Sequence, residues 1–245
     1  ICINLIGILF EKGTLNTFQN IHCDFPNMIS KICYEENVKQ FIQLSALGIS
    51  VAENSKYAQS KLNGERAIKN NFAKAVILRP SVVYSVDDNF TTSFMTLLNR
   101  LPFFPLYYEG NTKFMPIHVS DLTEIIYNII SREVISSTIE CIGNETMTLK
   151  EILKRLLKLI NKKRLLVPLP FLIAKISAKF FQLFPTPLIT VDQLKLLAYD
   201  NIKSGKHKTN FDIGVPSIAI FDEEIEKYCY MWKEAGQFST KKYKN

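Results

Sequence analysis

Ser45, Tyr57 and Lys61 have the residue types and spacing for proton exchange with a carbonyl or alcohol oxygen. A tyrosine phenol exchanges the proton, a nearby ammonium lowers its pKa, and a serine hydroxyl fixes the position of the oxygen. Tyr57 and Lys61 stand four residues apart, which places them on one helical face. The Tyr-x-x-x-Lys pattern alone has little specificity. It recurs at Tyr199 and Lys203, and in a chain with ten tyrosines roughly one chance occurrence is expected. Context separates the first copy from the second. An apolar run ends in Ser45-Ala46-Leu47-Gly48, a polar loop follows, and a helix then carries Tyr57 and Lys61.

The surrounding pattern supplies the elements to hold these groups. Short apolar runs at 1–9, 40–45, 75–79 (stopped by Pro80) and 138–142 predict strands. Helices are expected over 17–36, 56–70 and 89–100, then a loop rich in proline and aromatic residues over 101–110. The stretch Phe114 to Asp121 reads as a short strand entering a helix that runs to about Ser131, with Ser120 as its N-cap. Thr148 and Glu151 form a capping box for a helix over 149–161. Such alternation predicts a parallel sheet with right-handed crossovers.

From Arg164 the character changes. Leu165-Leu166-Val167-Pro168-Leu169-Pro170 leads into an apolar helix over 171–184, bounded by Pro170 and Pro185. Fourteen helical residues span about 21 Å, short of the roughly 30 Å hydrocarbon core. Lys175, Lys179 and Gln182 share one face of this segment, so it is not a transmembrane span. It either packs in a core or lies against lipid or a partner protein. Helices over 191–199 and 222–232 follow.

With 47% apolar and 22% charged residues, the 245-residue chain has an ordinary globular composition and can bury a core. Its five cysteines and three histidines have no metal-ligand spacing. Charge is unevenly placed. Residues 1–140 hold 12 Lys+Arg against 13 Asp+Glu, whereas residues 141–245 hold 18 against 10. Basic clusters lie at 150–164, 203–208 and 241–244. They are either solvated helix faces and a tail, or a surface for an anionic partner such as a membrane or a protein complex. Nucleic acid is not favoured, because no aromatic-interleaved basic strand or binding motif accompanies the charge. The opening apolar run is too short to span a bilayer and lacks the flanks of a signal peptide. Beginning on a core strand without methionine, the sequence reads as a fragment.

Together these segments resemble an extended short-chain dehydrogenase/reductase. The residues behind the resemblance are Asn4-Leu5-Ile6-Gly7, the Ser45, Tyr57 and Lys61 set, Arg79-Pro80-Ser81-Val82-Val83-Tyr84, and Pro116-Ile117-His118-Val119-Ser120-Asp121. The first eight residues from Asn4, the run from Arg164 to Pro170, and Pro187-Leu188-Ile189-Thr190-Val191-Asp192-Gln193 look narrower. They resemble the atypical branch that contains the accessory NAD(P)-binding subunit of respiratory complex I.

The resemblance implies a partial Rossmann-like, doubly wound parallel sheet lacking its first strands. Residues 1–163 would form that domain, and 164–245 a smaller, mostly helical cover or docking region. It implies NAD or NADP as cofactor, bound by Leu5, Ile6, Gly7, Leu44, Ser45, Tyr57, Lys61, Pro80, Ser81, Val82 and Val83, with Ser45, Tyr57 and Lys61 as the catalytic set. The nine glycines include no Gly-x-x-Gly-x-x-Gly, so dinucleotide binding is expected to be impaired. Without the first strands of that fold, the 1–9 strand is expected to form an exposed apolar edge.

Two functions follow from the resemblance. The first is an accessory or assembly subunit of complex I, partnered by its subunits or by the membrane surface through the basic C-terminal half. It would be peripheral to the inner membrane, on the matrix side in a eukaryote. The second is an active oxidoreductase, epimerase or dehydratase on a small apolar carbonyl or alcohol.

Overall fold

The computed structural model describes residues 1–182 and 189–238. The chain begins with β1 (Cys2–Asn4), then a π-helical turn over Asn20–Asp24 that runs into α1 (Phe25–Glu35). Next come β2 (Phe41–Leu44), α2 (Lys56–Asn71), β3 (Val76–Pro80) and β4 (Val83–Tyr84). After α3 (Thr91–Arg100) the chain forms β5 (Phe103–Leu106), β6 (Lys113–Phe114) and β7 (Ile117–His118). Then follow α4 (Val119–Ser131), β8 (Ser137–Cys141), β9 (Met147–Thr148) and α5 (Leu149–Leu159). The remaining elements are β10 (Leu165–Pro168), α6 (Phe171–Phe181), α7 (Val191–Leu196), β11 (Lys208–Thr209) and α8 (Phe221–Glu226).

The main sheet has the order β1-β2-β3-β8-β11, and every pairing in it is parallel. Its strands carry apolar residues on both faces. Phe41 and Ile77 pack with Cys33 of α1 and with Ile68 and Phe72 at the end of α2. Ile42, Val76, Leu78 and Ile139 face the other way, onto Leu122, Ile125 and Ile129 of α4. A parallel sheet covered by helices on both faces is the doubly wound, Rossmann-like architecture expected. A third core gathers α3, α5 and α8 around Met95, Leu153, Leu156, Phe221 and Trp232. β11, from the C-terminal region, extends the main sheet.

Several local expectations need correction. β1 is three residues long, because the Asn4 side chain accepts the N–H of Ile6 at 3.1 Å and turns the chain out of the sheet. It stands at one end of the strand order, with Ile1 and Ile3 exposed. The segment 101–110 is not all loop. Its β5 pairs in parallel with β10, a partner about sixty residues away that local pattern does not reveal. The N-cap of α4 is His118, not Ser120: His118 Nδ1 accepts the Ser120 N–H at 3.4 Å. The helix expected over 191–199 stops at Leu196, and that over 222–232 breaks into α8 and a 3-10 turn at Cys229–Trp232. The capping box of Thr148 and Glu151 forms as expected. Residues 183–184 of the predicted apolar helix, its stop at Pro185, Pro187 and Leu188, and the basic cluster at 241–244 lie outside the described residues.

Candidate functional site

The carboxyl ends of β1, β2 and β3 lie side by side, where open parallel sheets hold their ligands. Leu5, Ile6 and Gly7 leave the end of β1, Ser45 follows β2, and Ser81 follows β3. Beside them runs α2, which carries Tyr57 and Lys61 in consecutive turns.

The start of α2 is fixed from two directions. Ser55 is its N-cap, accepting the Ala58 N–H at 3.2 Å. The Asp192 carboxylate, at the start of α7, then accepts the Ser55 hydroxyl at 2.7 Å, the Lys56 N–H at 2.9 Å and the Tyr57 N–H at 3.0 Å. A carboxylate on the free N–H groups of a first turn also complements the helix dipole. Further along, Glu65 holds Arg79 of β3 in a buried two-point pair at 2.9 and 2.6 Å. Arg79 shares the sheet face of Ile77, so its guanidinium braces α2 against β3.

Lys61 is buried, and its ammonium donates to the Leu44 carbonyl at 3.4 Å. Gly7 passes directly over it: a Cβ built on Gly7 would stand 3.1 Å from Lys61 Nζ and 3.7 Å from His22 Nε2. Burial drops the Lys61 pKa to about 8, against the opposing pull of Glu65. Tyr57 corrects the sequence expectation. Its pKa is pushed up to about 12 by burial, not lowered by the lysine. Lys61 Nζ lies 6.0 Å from the Tyr57 ring centroid, while the ring is shut in by His22 at 5.2 Å and Phe18 at 5.8 Å.

His22 is the site residue that sequence reasoning missed. The π-helical turn carries it inward just before Pro26, which has no N–H to give the helix. Its Nε2 accepts the Ile8 N–H at 3.0 Å. Ser60 donates its hydroxyl to the Tyr57 carbonyl at 2.8 Å, so His22 Nδ1 donates to Ser60 Oγ at 2.9 Å. Those two bonds fix a neutral, Nδ1-protonated ring. Burial, then the charge of Lys61, drops its pKa to about 3. Gly64 gives this turn room, since a Cβ there would meet the His22 carbonyl oxygen at 1.8 Å.

Ser45 is buried, and its Oγ has no hydrogen-bond partner among the described residues. An unpaired buried hydroxyl at the end of a strand, beside a buried ammonium, is an open position for a ligand oxygen. Among the expected β3-side residues, Ser81 is committed elsewhere. It donates to Asn201 Oδ1 at 2.6 Å, while Asn201 Nδ2 donates to the Leu47 carbonyl at 2.8 Å. The Pro80 carbonyl accepts the Leu47 N–H at 2.8 Å. Val82 packs against the third core and Val83 against the core under α4. Outside this site, His118 Nδ1 and Ser120 Oγ bond each other at 2.7 Å, and Asp121 accepts the Ala219 N–H at 3.2 Å.

Residues 51–186 match the family described as RmlD substrate binding domain. The chain is 28% identical over 216 residues to the mitochondrial NADH dehydrogenase [ubiquinone] 1 alpha subcomplex subunit 9 of Arabidopsis thaliana, covering 83% of this chain and 54% of that protein. The subunit of the same name from Mus musculus is 26% identical over 229 residues, covering 92% and 60%. The chain therefore spans less than two thirds of the length of these relatives. Among solved structures, the dTDP-glucose 4,6-dehydratase of Bacillus anthracis in complex with NAD superimposes with a TM-score of 0.65 at 12% identity, over 97% of this chain and 73% of that one. At that identity the likeness speaks for the fold.

Proposed function

Since the chain belongs to the RmlD substrate binding domain family, we propose that it acts as an NAD(P)-holding accessory or assembly subunit of NADH:ubiquinone oxidoreductase. The observation that carries this reading is the likeness, over 83% and 92% of this chain, to the mitochondrial NADH dehydrogenase [ubiquinone] 1 alpha subcomplex subunit 9 of two organisms. Tyr57, flanked by His22 and Phe18, is placed beside Lys61 to hold a ligand as a neutral donor.

The residues fit the nicotinamide end of a dinucleotide. Ser45 offers an unpaired hydroxyl, Lys61 a buried ammonium, and Gly7 a backbone approach that a side chain would fill. In this reading Leu5, Ile6, Gly7 and Leu44 line one side, and Tyr57 and Lys61 hold polar groups of the cofactor. The Pro80 to Val83 segment bounds the other side through its backbone, since the Ser81 hydroxyl is held by Asn201 and Val82 and Val83 pack in cores. Bound NAD(P) would supply hydride chemistry, while this chain binds and orients it. Occupancy then stabilises the fold by linkage, with no turnover required. In this reading the main sheet and its helices form the nucleotide region, to which β11 and α8 return, and the docking region is the stretch around β10 and α6, next to the basic cluster at 150–164. The site of action in this reading is the matrix side of the inner mitochondrial membrane; the names of the relatives support the mitochondrial part of it.

Expressed with a tag in its host, the protein should comigrate with assembled complex I on a native gel of gently solubilised membranes. A purely soluble pool would overturn the accessory reading. Ser45 favours a second reading, turnover of an apolar carbonyl or alcohol whose oxygen would occupy its free hydroxyl. In that case Tyr57→Phe abolishes turnover and spares cofactor affinity.

A further inference from the structure

α6 turns an apolar face outward. Leu172 is 73% exposed, Ile173 53% and Ile176 68%. Its inward face is marked by Ala178, which is buried against Tyr107, Ile189 and Leu194. At about 100° per residue, Leu172, Ile173 and Ile176 stand roughly 120°, 140° and 160° around the helix from Ala178. Lys175 and Lys179 are exposed on the flank between the two faces. The strand leading into this helix repeats the pattern, since Leu165 and Val167 are exposed on one side of the β5–β10 ribbon beside Phe103.

Charge identifies the occupant. Between Glu151 and Asp192 the sequence has eight Lys and Arg residues and no Asp or Glu. An aliphatic stripe edged by lysines, within a stretch of one sign, matches a surface that is both negative and apolar just beneath. That is the headgroup boundary of an anionic bilayer. Lysines there keep their charge at the phosphates while their methylenes lie on the apolar layer. The cores of protein interfaces, by contrast, are poor in lysine and rich in aromatic residues and arginine. An eleven-residue helix, about 16 Å long, lies in such a boundary and does not cross it.

We infer that the outward face of α6, led in by β10, docks on an anionic lipid surface, with Leu172, Ile173 and Ile176 entering the boundary and Lys175 and Lys179 at its phosphates. This deepens the accessory-subunit reading, but its test needs no complex I, so the two can fail separately. The purified chain should cosediment with phosphatidylcholine vesicles containing about a third phosphatidylglycerol, and far less with phosphatidylcholine alone. Salt near 0.5 M should weaken the binding.

Leu172→Ser with Ile176→Ser should lower partitioning about tenfold or more without moving the thermal midpoint, because both side chains are exposed. Lys175→Gln with Lys179→Gln should lower it about tenfold on anionic vesicles only, and serves as the second variant should the first fold poorly. A chain that stays in the supernatant with anionic vesicles overturns the inference. So does binding that neither variant changes. Loss of complex I comigration in these variants, with no vesicle binding by the parent chain, would assign the face to a protein partner instead.

Discussion

Gly7 lies against the ammonium of Lys61 so closely that a Cβ on the glycine would stand 3.1 Å from Nζ. The obstacle is the far end of a flexible side chain, so Gly7→Ala should change stability by less than about 1 kcal/mol. It should nonetheless shift the ammonium and weaken NADPH binding several-fold in a fluorescence titration. Gly64→Ala behaves oppositely. Its Cβ would overlap the backbone carbonyl of His22, so α2 and the π-helical turn must move apart, at about 2–3 kcal/mol in urea unfolding. Equal stabilities for the two variants would contradict this account of the packing.

Removing one member of the buried Arg79 and Glu65 pair leaves the other charge uncompensated. Arg79→Met is expected to cost about 3–5 kcal/mol. The double variant Arg79→Met with Glu65→Leu should recover most of that loss in the same unfolding experiment. A single variant as stable as the parent would show that the pair does not brace α2.

Two buried groups make stability depend on pH in separate windows. His22 titrates near 3 in the folded chain and near 6.5 when unfolded, because burial and then Lys61 disfavour its charge. Between those values only the unfolded chain takes up the proton, so this contribution is lost as pH falls from 6.5 towards 3. The difference between the parent and His22→Gln, followed across that range, should shrink by a few kcal/mol. Lys61 works at the other end. Its folded pKa is about 8 against an ordinary 10.5, so its contribution rises with pH between those values and is absent in Lys61→Met.

Ser45→Ala separates stability from binding. With no partner for Oγ among the described residues, its loss should be neutral or slightly stabilising in thermal unfolding. The same change should weaken whatever ligand oxygen the hydroxyl receives, read as lower NADPH affinity. A clear fall in thermal midpoint would mean that the hydroxyl already supports the fold.

The parallel sheet and the placement of Tyr57 and Lys61 were legible in the sequence, because strand runs and helical spacing are local signals. The helix boundaries of α2 and the capping box at Thr148 were legible for the same reason. What escaped were features that depend on distant residues. β5 exists because β10 pairs with it, and Tyr57 keeps its proton because Phe18 and His22 enclose it. His22 stands in no motif that would mark it. The nearest signal for its position was Pro26, whose missing N–H favours a widened turn before it. For Ser81, sequence placed the residue beside the site but could not show that Asn201, 120 positions later, takes its hydroxyl.

The helix that bears Tyr57 begins on a carboxylate from another part of the chain. Asp192 meets the hydroxyl of Ser55 and the two N–H groups after it, across about 136 positions of sequence. Drift at one end of that arrangement is therefore constrained by the other. Where descendants of this gene lose the acid at 192, positions 55 to 57 should change with it, and a chimaera joining segments from two lineages should inherit both or work poorly. Heredity would treat 55–57 and 192 as one locus, although the chain writes them far apart.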